Sequence, residues 1–93
     1  MALYSLIIEH EGKSYTTQVS AASAAQAVTE YFSRIYAVSG VDFFGSSAPL
    51  LGTKDIIYVT PMEGLVNLWA ACAGREGRYV SLVCARTVSR HAA

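Results

Sequence analysis

Ninety-three residues set the chain at one small domain, of a size that buries only a little over ~60% of its unfolded surface. Hydrophobic residues make up 53% and charged residues 15%, against a usual charged share of about 25%, and seven basic residues cancel seven acidic ones. That balance argues against a nucleic-acid partner, which needs a basic stripe to neutralise phosphates. No stretch approaches the ~18 consecutive apolar residues of a membrane span, and Glu9 and Glu11 interrupt the start too early for a secretory signal. The expected protein is therefore cytoplasmic. With so few charges and so little interior, it is also expected to hide an apolar face by self-association, as a homodimer or higher oligomer.

Residues 2–10 alternate, with Tyr4, Leu6 and Ile8 on one face and Leu3 and Ile7 on the other. Residues 14–19 place Tyr15, Thr17 and Val19 together in the same way. A two-residue Glu11-Gly12 turn joins the two runs with their apolar faces in register: Tyr15 opposite Ile8, Thr17 opposite Leu6, Val19 opposite Tyr4.

The next segment, 20–39, reads as the long helix of the fold. Ser20 is its expected cap, and Ser23 with Gln26 offers an alternative capping box. Its apolar stripe is Ala24, Ala25, Val28, Phe32, Ile35 and Val38, and Gly40 is placed to end it. Only Glu30 and Arg34 are charged within it, which points to a helix covered on more than one side. Ala24 and Ala27 are assigned to its outer, Ala-rich side. Residues 40–54, with Gly45, Pro49 and Gly52, read as a long loop in which Phe43-Phe44 plugs the end of the core.

Residues 55–60 predict a strand, after which two readings stand. In one, Pro61 opens a second helix over 61–73 with Thr60 as its cap. In the other, 66–73 is a strand joined by Gly74-Arg75-Glu76-Gly77 to a strand at 78–88, with Trp69 facing Leu82 and Leu68 facing Val83. Gly64 inside a first helical turn costs about 1 kcal/mol relative to alanine, which tips the balance to the hairpin. Residues 89–93 form a tail. The expected fold is thus α+β: an antiparallel sheet of four or five strands with one helix on one face, in the order β-β-α-β-β-β, with β-β-α-β-α-β as the alternative.

The residues that carry chemistry are sparse. His10, Cys72, Cys84 and His91 have no spacing known for a metal site, both cysteines read as core filler, and neither a metal nor another cofactor is expected. No nucleophile elbow, phosphate loop or dinucleotide fingerprint is present, so no catalytic residue is assigned and an enzyme is not expected. The opening YSLIIEHEGKSYTTQVSAASAAQAVTEYF is similar to the strand–strand–helix start of HicB-type antitoxins over a third of the chain. It lacks the Pro-Gly-Cys segment and DNA-binding extension of that family, and the chain is assigned to no family on this ground.

The expected function is that of a small non-catalytic protein that occupies the surface of a larger protein complex. A phage or mobile-element inhibitor of a host defence complex, anti-CRISPR-like in size and lack of chemistry, would act in this way. The second expectation is a homo-oligomer that binds a nucleotide or metabolite in a pocket lined by Tyr31, Tyr36, Phe43 and Phe44. Arg75 or Arg78 would there meet an anion, and Trp69 completes the candidate binding residues.

Overall fold

A computed structural model of the chain describes residues 1–39, 41–44, 50 and 55–87. Gly40, most of the 40–54 loop, Val88 and the 89–93 tail lie outside the described residues, and with them the expected glycine end of the helix. Five strands form one antiparallel sheet: β1 Ala2–His10, β2 Lys13–Ala21, β3 Ile56–Pro61, β4 Leu68–Arg75 and β5 Arg78–Thr87. Their order across the sheet is β2-β1-β5-β4-β3, so two hairpins meet through the β1–β5 ladder. One helix packs on one face, and the order β-β-α-β-β-β is the one expected.

The first hairpin has the expected register, with Ile8 opposite Tyr15, Leu6 opposite Thr17 and Tyr4 opposite Val19. Its turn residues Glu11 (φ 51°) and Gly12 (φ 77°) both take the left-handed conformation that a tight, right-twisted hairpin demands. The second hairpin replaces the alternative helix over 61–73, and its register corrects the expected one by two residues. Trp69 stands opposite Cys84 and Leu68 opposite Ala85. The reason lies in the turn. Glu76 (φ 51°) and Gly77 (φ 80°) repeat the conformation of Glu11-Gly12, so Arg75 pairs directly with Arg78 and the loop has two residues, not four. Between β3 and β4 the Leu65 N–H donates to the Met62 carbonyl, and Gly64 holds φ 79° within that turn.

The helix begins later than Ser20. Ser20 and Ala21 continue the β2 ladder opposite Leu3 and Ala2, which pairs their backbones and buries Ala21. Ser23 is the cap: its hydroxyl accepts the Gln26 N–H at 3.1 Å, while the Gln26 side chain accepts the Ala22 N–H at 2.6 Å. Ser23→Ala is expected to cost about 1 kcal/mol and Ser20→Ala almost nothing. Equal effects in urea unfolding would place the cap wrongly.

From this cap the α-helix α1 spans Ala24–Glu30 and continues without interruption as a π turn, Tyr31–Ile35, and a 3-10 turn, Tyr36–Val38. The Tyr36 N–H donates to the Tyr31 carbonyl five residues back. Beyond that wider turn Tyr36, and not Val38, is the buried residue. Ala24, Ala27, Val28, Tyr31, Phe32 and Tyr36 face the sheet, while Ala25 is exposed and Val38 is 85% exposed. Ala24 and Ala27 are therefore core positions, not members of an outer face. Small side chains there let the helix backbone approach the sheet, and the larger Phe32 and Tyr36 are buried toward its end.

The sheet face beneath the helix carries Tyr4, Leu6, Ile8, Val19, Ala71, Ala73, Val80, Leu82 and Cys84, all buried. The expected plug is present as well: Phe43 and Phe44 are 4% and 5% exposed, and Phe43 stacks on Tyr36 at 5.5 Å. The Tyr36 hydroxyl accepts the Phe43 N–H at 3.0 Å, which ties the loop to the helix end. Burial raises the Tyr36 phenol above its ordinary range, partly opposed by that hydrogen bond, and it raises Tyr31 too.

Candidate functional site: the open face of the sheet

Each strand turns alternate residues away from the helix, and the registers line these up in rows across the sheet. One row runs Glu9, Ser81, Cys72, Tyr58; the next runs Ile7, Val83, Ala70, Thr60. Beyond them lie Ser5, Ala85 and Leu68 on one side, and Tyr79, Gly74 and Ile56 on the other. Among the described residues on this face, Glu9 alone is charged. Large apolar side chains stay in solvent: Leu3 is 37%, Ile7 40%, Tyr58 64% and Tyr79 58% exposed. A helix covers one side of the sheet and no described element covers the other.

The two middle rows form a groove of about 550 Å³. Its floor is made of small side chains on the adjacent strands β4 and β5: Ala70, Cys72, Ser81 and Val83. Ile7 and Glu9 on β1 make one wall, and Tyr58 and Thr60 on β3 the other. At one end the Tyr79 ring lies across Gly74, where any β-carbon would run into it. Glycine is needed at this position for that close approach. On the far side of Ile7 a second groove, lined by Ser5, Thr16 and Gln18, is hydroxyl-rich. There Ser5 and Thr87 hydroxyls lie 2.8 Å apart and the Gln18 amide donates to Ser5 at 3.1 Å. The open face is thus apolar toward β3 and polar toward β2.

None of the residues singled out from the sequence as binding residues lies on this face. Tyr31, Tyr36, Phe43 and Phe44 are brought together, but they pack on one another at 5% exposure or less. The rings themselves fill the space that a ligand among them would need. Trp69 lies on the helix side, edge-on to Tyr4 at 5.7 Å. Arg75 forms a two-point ion pair with Asp55, Nε to Oδ1 at 3.1 Å and Nη2 to Oδ2 at 3.0 Å, with both side chains nearly buried. Arg78 lies apart, lining a shallow groove with His10, Asp42 and Phe43 at the hairpin ends. Among the described residues, no three His, Cys, Asp or Glu side chains gather as a metal ion would require.

The two cysteines differ, which corrects their common assignment to the core. Cys84 is fully buried and desolvation pushes its thiol up from 9.0 to about 11. Cys72 sits half-buried on the groove floor. A disulfide reagent at pH 8 is expected to label one thiol in the native chain and two in urea; rapid labelling of both natively would contradict this placement. Stability should also fall with alkali. The unfolded Cys84 thiol ionises first, so the stabilisation is complete below pH 9 and drains away toward pH 11, by roughly 2–3 kcal/mol. The raised tyrosines extend the loss above pH 10. Urea midpoints at pH 8 and 10.5, with Cys84→Ala as the control, measure the thiol share.

Among the described residues no helix is long and apolar enough to cross a membrane. Compared with protein-family models, curated proteins and solved structures, the chain matches none.

Proposed function

We propose that the chain is a non-catalytic interaction module that works by seating another protein on the open face of its sheet. One observation carries this reading: a broad, grooved sheet face on which Glu9 is the single charge among the described residues, on a molecule whose described core lies on the other side. Exposed apolar patches rimmed by polar groups mark interaction sites on small proteins. Occupying a larger complex, as a small inhibitor does, would require no chemistry beyond this face. The aromatic ligand pocket lacks comparable support, because its rings are packed together.

Cys72 offers a direct test, since it lies on the groove floor and Cys84 is shielded. A photo-crosslinker attached to Cys72 in the full chain should give a discrete protein adduct in extracts of the source cells. The same label on Thr29→Cys in a Cys72→Ser background, on the exposed side of α1, should not. Identical adducts from both positions, or none from Cys72, would overturn the proposal.

A further inference from the structure

The shape of the groove narrows what the face can hold. We infer that its occupant is an amphipathic α-helix of a partner protein, lying along β4 and β5 with a Lys or Arg directed at Glu9. This inference rests on the open face being the working surface.

Width is the first argument. The walls stand on β1 and β3, three strand spacings apart, or about 14 Å at the usual 4.7–4.9 Å per spacing. That spacing is measured between strand axes; a helix, about 10–12 Å across with its side chains, rests on the wall side chains and reaches the floor with its own. An added strand or a flat loop would leave the walls without contacts. The two lining rows, Cys72–Ser81 and Ala70–Val83, lie two residues of strand apart, about 7 Å, so little more than one helical turn rests on the floor itself.

The floor supplies the second argument. Ala70, Cys72 and Ser81 are small, so they admit large side chains from above and keep few contacts of their own. Two such faces set against each other would meet at their walls and enclose a void between the floors, which disfavours a second copy through this surface. Nor can this chain's own helix fill the groove, because its outer side presents Ala25, Thr29 and Ala37. A convex element with Leu-, Met- or Phe-sized knobs is required, and an amphipathic helix presents these at three- and four-residue spacing.

Charge gives the third. Glu9 stands on the β1 wall beside an apolar floor, where a cationic side chain on the flank of the incoming helix would meet it. With no cation among the described residues of this face, an acidic helix has nothing there to pair with and is repelled at Glu9.

The test uses the full-length chain and display libraries of three kinds: single helices of 14 residues, extended peptides of equal length, and folded β-domains. Helical binders should dominate and carry Lys or Arg at one flanking position. They should lose at least tenfold in affinity on Ala70→Trp, which fills the floor. They should lose a similar factor on Glu9→Lys and recover it when their own basic residue is changed to Glu. Binders that are extended or β-domains yet blocked by Ala70→Trp would overturn the helix and keep the open face. So would a native dimer in light scattering that dissociates on Ala70→Trp. Binders indifferent to Ala70→Trp would overturn both.

Discussion

Replacing Asp55 by alanine is expected to destabilise the chain by about 3–5 kcal/mol, because it removes the carboxylate that holds the Arg75 guanidinium at two points in a site only 12% exposed. The pair closes the β3–β4 edge of the core: Asp55 immediately precedes β3, and Arg75 ends β4. The Asp55 hydrogen bond is the largest cause of the rise in the Arg75 pKa, with burial acting against it. The double variant Asp55→Leu with Arg75→Met removes both charges together and should recover most of the loss, since an apolar pair of similar volume needs no compensation. Urea unfolding of the three proteins measures this. A single variant within 1 kcal/mol of the wild type would mean that the guanidinium reaches water when its partner is gone.

Phe32→Ala is expected to cost a further-reaching 3–5 kcal/mol or so, the usual range for a buried aromatic. Phe32 is fully buried and packs against Tyr31, Tyr36 and Phe44, and its carbonyl accepts the Leu50 N–H at 3.0 Å. The cavity would therefore open where helix, loop and sheet meet. For a domain of this size each kcal/mol moves the melting temperature by about 4–8 °C, so a drop of 12 °C or more is expected. Val38→Ala, at a position the plain helical period places in the same stripe, should change it by less than 2 °C. A calorimetric scan of both variants decides whether the π turn sets the buried side as described.

The contrast between Phe32 and Val38 shows what the chain discloses in its letters and what it withholds. Alternation along 2–10 and 14–19, with a glycine at the turn, specifies one register, because a slip by one residue would expose Tyr4, Leu6 and Ile8 together. The second hairpin carries the same Glu-Gly pair at 76–77, but Gly74 makes a four-residue loop look equally good. Its true role, yielding space to the Tyr79 ring, depends on a neighbour across the sheet. The π turn is invisible to any count based on 3.6 residues per turn, so the plain period places Val38 in the stripe where the structure buries Tyr36, while Ile35 packs against the core as that period expects. Ser20 and Ser23 are both fair caps, and only the pairing of Ala21 with Ala2 decides between them. The open face is hinted at in the sequence by Leu3, Ile7 and the apolar second face of the 66–88 hairpin. Most of the groove floor is alanine, cysteine and serine, residue types that signal nothing until strands β4 and β5 set them side by side.

The β1–β5 ladder has a consequence for how the chain reaches this structure. Leu3 lies opposite Thr87 and Glu9 opposite Ser81, so the centre of the sheet is built from the two most distant strands in the sequence. The ladder joins the first described strand to the last, so it requires a long loop closure, the kind of contact that slows a small domain relative to one with mostly local contacts. Leu6 and Cys84, opposite each other in that ladder, meet only through it.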